Sequence, residues 1–328
     1  MKAIVQTKYG PPDSLKLEEL QKPIPGDDEV LVEVHASSVN YGNLALVKGK
    51  PFIARFWSGL LAPKDKIPGS DIAGRVEAVG KNVRQFRPGD EVFGDIAHTG
   101  FGAFAEYVKA PENTLALKPA NSSFGEAAAV PQAGLVALQG LRDKGQIRPG
   151  QKVLIVGASG GNGSFAVQIA KSFGTDVTAV CSTRNVDLVR SMGADHVIDY
   201  TREDFTKTGQ RYDLILAAAG YRSIFEYKQA LSPGGTYVMT GGAMKQIMQA
   251  NLLGPLISKS GGKQLIALYH QPSQSDLFFM KELIEAGKIK SVIDRQYPLS
   301  KVAEALRYYE QGHSQGKVII TIEHNNKT

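Results

Sequence analysis

The chain has 328 residues, 42% hydrophobic and 21% charged, with a formal net charge of +6. That length favours two domains, each large enough to bury its own core, and the composition is that of an ordinary globular protein. No apolar run reaches the length of a membrane span, no targeting leader is read, no basic run resembles a nucleic-acid arm, and the single cysteine excludes an internal disulfide and suits a reducing compartment, taken as the cytoplasm.

The first 120 residues read as mostly β. Val30, Val32 and Val34 alternate with Leu31, Glu33 and His35. Ile72 to Val79, Glu91 to Phe93 and Ala103 to Val108 give further short strands, with turns such as Arg87 to Asp90 between them. The pattern predicts a barrel or a sandwich. Between these strands, Lys48 to Ile67 carries Phe52, Ile53, Phe56, Trp57, Leu60 and Leu61 at helical spacing among basic residues. Three readings stay open: a short helix packed on this domain, a roof over a substrate pocket, or contact with a membrane surface.

The segment Val153 to Lys171 carries the most chemistry. An apolar strand, Val153 to Val156, meets a glycine-rich turn, Gly157 to Gly163, and then a helix on which Phe165, Ile169 and Phe173 recur until Gly174. Strand, tight turn and helix in that order make a phosphate cradle: free N–H groups and a positive dipole end face an anion that only glycines allow so close. Ala158 stands where the first glycine of G-x-G-x-x-G would, while Gly160 and Gly163 keep the spacing. Ala158, Ser159, Gly160, Gly161, Asn162 and Gly163 are therefore candidate cofactor contacts.

A second strand, Asp176 to Cys181, ends in Ser182, Thr183 and Arg184. An NAD-binding protein places an acid there for the ribose hydroxyls. A carboxylate would repel a 2′-phosphate, whereas Arg184 can grip one through paired N–H bonds, with Ser182 and Thr183 as hydroxyl donors. The expected cofactor is NADPH.

The alternation continues with a helix from Asn185 to Met192, strands at His196 to Ile198 and Asp213 to Ala217, a helix from Tyr221 to Leu231, and strands at Thr236 to Thr240 and Gln264 to Tyr269. This predicts an α/β fold with a doubly wound parallel sheet. Ligands of such sheets lie beyond the C-terminal strand ends. Ala219 and Gly220, and likewise Gly241 and Gly242, leave room there for a flat cofactor; a plain turn is the other reading of the second pair. The tail returns to β with Val292 to Tyr297, a helix from Val302 to Tyr309, and Lys317 to Thr321. Residues 1–120 and 275–328 are thus expected to form one domain and 121–274 the nucleotide domain, with the cleft between them as the default site.

Ser37 to Tyr41, Pro68 to Val76, Arg87 to Gly94, Gly102 to Tyr107, the glycine turn, Gly193 to Tyr200 and Gly316 to Ile320 together resemble the medium-chain dehydrogenase/reductase superfamily. Within it the chain is similar to the zinc-free quinone oxidoreductases related to zeta-crystallin. The resemblance implies a GroES-like β-barrel catalytic domain, a Rossmann domain, Tyr200 at the cofactor and a homodimer. Zinc-dependent members carry a ligating Cys at the position of Asn40 and Gly-His-Glu at Gly69, Ser70 and Asp71. Here those residues are absent, and His35, His98, His196, His270, His313 and His324 show no ligand spacing, so no metal is expected.

Without a Lewis acid, hydride is better delivered to an acceptor that delocalises the resulting anion. The implied reaction is reduction of quinones or α,β-unsaturated carbonyls. Asn40 would donate its amide to the substrate oxygen, and Tyr41 its phenol proton, directly or through water. Tyr41 as mere packing stays open, and Asp71 is a weaker candidate. Some enoyl reductases read Asn-Tyr-Lys-Asp here; this chain reads Asn-Tyr-Gly-Asn, ending at Asn43. Asn162, Val136 and Ala217 to Gly220 also depart from relatives. The alternatives are an enoyl-thioester reductase and a non-catalytic NADPH-binding protein.

Overall fold

The computed structural model describes residues 1–52, 55–242 and 244–324. It divides into two compact units: Met1–Gln132 with Pro272–Glu285 and the chain from Ser291 onward, and Ala133–Gln271 with Ala286–Lys290.

The first unit opens with β1 (Lys2–Val5) and β2 (Lys16–Glu19), an antiparallel pair. β3 (Glu29–Ser38), α1 (Tyr41–Lys48), the single turn α2 (Arg55–Ser58), β4 (Asp71–Val79), β5 (Glu91–Asp95), β6 (Tyr107–Pro111), β7 (Leu115–Leu117) and α3 (Phe124–Ala128) follow. Val30, Val32 and Val34 are fully buried, and Leu31 is buried too, so β3 packs on both faces. The strand expected at Ala103 to Val108 begins only at Tyr107. Upstream of it Ala103, Phe104 and Ala105 are buried, held by a bridge from Ala105 to Ala3 and by the Ile4 N–H donating to Phe104 O.

The second unit holds α4 (Pro131–Leu138) from Ala133 onward, β8 (Lys152–Val156), α5 (Gly161–Ser172), β9 (Asp176–Cys181), α6 (Val186–Ser191), β10 (His196–Asp199), β11 (Tyr212–Ala217), α7 (Ile224–Ala230), β12 (Leu231–Met239), α8 (Met244–Gly261) and β13 (Gln264–Ala267). Its six strands are all parallel, in the order β10-β9-β8-β11-β12-β13. That is the third-second-first-fourth-fifth-sixth order of a doubly wound nucleotide fold. Leu154, Val156, Val180, Ile215 and Ala217 form its core with stacked Tyr227 and Tyr237. α8 has no counterpart in the sequence reading. Pro255, which ordinarily ends a helix, lies inside it.

The chain returns to the first unit as α9 (Gln274–Glu285), β14 (Ile293–Pro298), α10 (Val302–Glu310) and β15 (Lys317–Thr321). β15 lies antiparallel on β3, with Ile320 opposite Ser37, in a sheet ordered β14-β15-β3-β4-β5-β7 with β6 also on β3.

The unit boundaries differ from the expected 120/121 and 274/275. Residues 121–132 stay with the barrel because Ser123 and Glu126 cap α3 reciprocally and the Gln132 N–H donates to Asp71 Oδ1 at 3.1 Å. The Gln274 amide donates to Leu115 O at 2.7 Å, which ties the start of α9 to β7. Residues 286–290 go with the nucleotide unit because the Gln168 amide and the Lys290 backbone bond reciprocally at 2.8 and 3.0 Å.

The packed-helix reading of residues 48–67 rests on six apolar side chains, four of which the structure describes. Among its described residues, Phe52 stands in a 3-10 turn and Arg55–Ser58 form α2, and Phe52, Phe56, Leu60 and Leu61 are 51–90% exposed. Ile53 and the side chain of Trp57, on which that reading also leaned, lie outside the described residues.

Candidate functional site

The glycine turn is shaped by close backbone approaches. Gly157 takes φ +81°, and a Cβ on it would come within 2.6 Å of the Ala219 Cβ. A Cβ on Gly163 would lie 2.1 Å from Gly157 O, so α5 rests directly on the turn. A Cβ on Gly160 would meet nothing nearer than 3.6 Å, which leaves that side of the turn open. Gly160, the N-cap of α5, has no side chain to bond the first N–H groups of the helix. Asn162 adds a second sign of a missing occupant. Its amide donates to Thr240 Oγ1 at 2.8 Å, but its Oδ1 is buried without a partner among the described residues. An open glycine face, an uncapped helix start and an orphaned acceptor together fit a ligand that brings both an anion and a hydroxyl or amide donor.

Ala219 and Gly220 follow β11, and Gly241 and Gly242 follow β12. The Gly220 N–H donates to Gly241 O, and a Cβ on Gly241 would stand 2.3 Å from Ala218 O. The glycines at 241 and 242 are thus demanded by two loops running against each other, whatever lies above them.

At the end of β9 the structure separates the three predicted donors. Thr183 is committed: its hydroxyl donates to Asp199 Oδ2 at 2.6 Å. Asp199, at the end of β10, was missed because the sequence argument looked for an acid only on β9. The Thr183 and Thr201 hydroxyls hold its carboxyl below the usual range, and Arg202 lies 3.5 Å away. Ser182 is half-buried and accepts from the Asn185 amide, which also donates to Ser159 Oγ at 2.8 Å. Arg184 is exposed. Tyr200 is half-exposed, its N–H bonded to Cys181 O and its ring 5.8 Å from that of Tyr221, an aromatic neighbour with no motif to announce it.

In the other unit, Asn40 and Tyr41 open α1 in different surroundings. Tyr41 is 57% exposed, whereas Asn40 is buried. The Asn40 amide donates to Asp71 Oδ2 at 2.8 Å and its Oδ1 accepts from Lys317 Nζ at 2.5 Å. Asp71 Oδ2 also accepts from Ser38 Oγ at 2.5 Å and lies 3.7 Å from Lys317 Nζ. Burial drives the Asp71 carboxyl upward, with Lys317 opposing; burial lowers the Lys317 ammonium, with Asp71 opposing. Asp71 is the centre of a buried network, and its Oδ1 also accepts the Gln132 N–H in the first turn of α4. Asn43, standing where some relatives have an acid, is fully buried; its Oδ1 accepts the Asn40 backbone N–H at 2.9 Å. The Asn43 amide oxygen thus closes the start of α1. Lys317 has no assigned role from sequence. A cation heading an apolar strand was the available signal.

Residues 26–120 match the model of the alcohol dehydrogenase GroES-like domain, and residues 192–320 that of the zinc-binding dehydrogenases. The chain is 34% identical to a chloroplast envelope quinone oxidoreductase homolog of Arabidopsis thaliana over 341 aligned positions, 98% of both chains. The chain belongs to the medium-chain dehydrogenase/reductase superfamily, in its quinone-oxidoreductase-like family. It is 33% identical to an NADPH-dependent alkenal/one oxidoreductase of the same plant, covering 98% of this chain and 79% of that one. The solved quinone oxidoreductase of Coxiella burnetii superposes with a TM-score of 0.87 at 29% identity, covering 98% of this chain and 99% of that one. This family member is an oxidoreductase that uses a nicotinamide cofactor. Among its described residues no helix is long and apolar enough to cross a membrane.

Proposed function

We propose that this protein reduces quinones or α,β-unsaturated carbonyls with NADPH and without a metal. The observation that carries the reading is the network around Asn40. Asn40, Ser70 and Asp71, at the positions of the zinc ligands of zinc-dependent relatives, are an amide, a hydroxyl and a carboxylate. The amide bonds both the carboxylate and the Lys317 ammonium, and the ammonium pairs with the carboxylate at 3.7 Å. That donor set lacks the soft and imidazole ligands of a catalytic zinc, and its one carboxylate already faces a cation. An acceptor that delocalises charge needs no more than hydrogen-bond donors. The names of the plant relatives point to the same acceptors.

The reduced nicotinamide, when bound, supplies the hydride. The open face at Gly160 and the N–H groups of α5, which begins at Gly161, would hold the pyrophosphate, with Ala158 and Gly163 setting the turn. The orphaned Asn162 Oδ1 would accept from a ribose hydroxyl or the carboxamide. Ser182 and Arg184 would take the 2′-phosphate, and Tyr200 would flank the adenosine. Ala219, Gly220, Gly241 and Gly242 keep side chains away from the strand ends. Asn40, with its Oδ1 pinned by Lys317, would turn its second amide hydrogen to the substrate oxygen. Tyr41, exposed, would pass a proton from solvent. The exposed Phe52, Phe56, Leu60 and Leu61 suit a flat apolar acceptor.

The test is loss of absorbance at 340 nm with a panel of quinones, enones and enoyl-CoA. Turnover of the first two with NADPH, undiminished by prolonged chelation, supports the reading. Turnover of enoyl-CoA alone, NADPH binding with no turnover, or a chelator loss restored by zinc each overturns it. We also propose a cytoplasmic homodimer, built on the open edge of β13 and the exposed row Met248, Leu252 and Leu256 of α8. A monomer in sedimentation would refute the dimer.

A further inference from the structure

We infer that Asn185 is a specificity-determining positioning residue: it aims the hydroxyls of Ser159 and Ser182 as a donor pair at the 2′-phosphate. The inference deepens the NADPH reading and rests on it. Asn185 lies in the turn after β9 and is only 4% exposed. Its Nδ2 donates to Ser159 Oγ at 2.8 Å and to Ser182 Oγ at 3.2 Å. Ser159 belongs to the glycine turn and Ser182 to the end of β9, so one buried amide ties together the two edges of the corner where a ribose phosphate would sit.

The direction of these bonds matters. A hydroxyl has one proton and two lone pairs. Each serine already accepts from the amide, so each proton is left to point away from Asn185. Two half-exposed hydroxyls then converge as donors. Thr183 cannot join them, because its proton goes to Asp199. The pair discriminates by chemistry: a dianionic phosphate takes two donors in full, whereas a ribose hydroxyl, itself a donor, gains less. Arg184, exposed at the same turn, supplies the charge. Asn185 touches no part of the phosphate and acts only through the serines.

The isosteric change Asn185→Asp reverses the bonding. The carboxylate accepts both serine protons and adds a negative charge to the corner. Asn185→Leu removes the tether without adding charge. Calorimetry on the full chain with 2′,5′-ADP and 5′-AMP reads the result apart from catalysis. The expected losses for 2′,5′-ADP are about tenfold in Asn185→Leu and about a hundredfold in Asn185→Asp, with 5′-AMP changing less than about threefold. In a cycle with Ser159→Ala and Ser182→Ala, the serine changes cost little once Asn185 is Leu. Equal losses for both nucleotides, or serine effects that persist in Asn185→Leu, would overturn the positioning role. If a variant fails to fold, the single serine changes decide: unchanged 2′,5′-ADP affinity in both refutes the proposal. A wild-type chain that does not prefer 2′,5′-ADP to 5′-AMP defeats the NADPH reading itself, which separates that failure from failure of Asn185.

Discussion

Replacing Lys317 by Met tests the buried network where it is most exposed to refutation. Lys317 is 3% exposed and Asp71 is fully buried, with 3.7 Å between Nζ and Oδ2. Met keeps most of the length and apolar volume of the stem but removes the charge that offsets Asp71. Breaking one side of a buried pair costs about 3–5 kcal/mol. For a unit of this size that corresponds to a fall of roughly 6–20 °C in its melting temperature. The pH dependence has a definite sign. Burial already raises the Asp71 carboxyl, and without Lys317 it rises further. An acid raised in the folded state costs nothing while protonated, so the penalty is small near an unfolded value of about 3.9. It grows by about 1.4 kcal/mol per pH unit until the folded value is passed, then levels off. Scanning calorimetry should therefore show a deficit of at most about 1.5 kcal/mol at pH 5 and the full deficit at pH 8.5. The double change Lys317→Met with Asp71→Asn removes both charges and should recover most of the loss. A deficit equal at the two pH values, or a double variant no better than the single, would show that Lys317 is a packing stem and not the counter-charge of Asp71.

Arg184→Ala should weaken NADPH binding about ten- to a hundredfold, the range of a charge-assisted contact, and NADH by less than about threefold; equal losses in titration calorimetry would refute a phosphate grip. Tyr41→Phe should lower kcat about ten- to a hundredfold with the NADPH Kd unchanged, because the exposed phenol takes no part in the cradle, and an unchanged kcat would return Tyr41 to packing. Gly163→Ala should abolish cofactor retention and lower the melting temperature, since its Cβ would lie 2.1 Å from Gly157 O; normal binding would show that the turn relaxes freely.

How much of this was legible depended on whether the signal was local. β8, the glycine turn and α5 were readable because strand, turn and helix are consecutive, and β9 and β15 were read to the residue. That the sheet is parallel followed from strands alternating with helices. α8 was not readable because its exposed apolar row blurs the periodicity that marks a buried face and Pro255 reads as a stop. The division after Gln132 was not readable for a related reason: the Gln132 N–H bonds to Asp71, 61 positions earlier.

The site divides the same way. Backbone approaches at Gly157 and Gly163 leave a mark in the sequence, because no other residue fits them. Networks of ordinary polar residues leave none. Asn40, Asp71 and Lys317 come from three distant segments, and no spacing rule joins residues 31 and 246 positions apart. From sequence alone the Asn40 amide and the Thr183 hydroxyl look free, because the acceptors that take their hydrogens lie far along the chain. In the fold Asp199 takes the Thr183 proton and Asp71 one Asn40 amide hydrogen, and such captures settle which groups remain to meet a ligand. Asp199 captures Thr183, whereas Asn185 bonds to Ser182 and Ser159 as a donor and so leaves both their protons outward. Two hydroxyls one residue apart in the chain thus end with opposite roles, decided by one carboxylate on β10 and one amide beneath the turn.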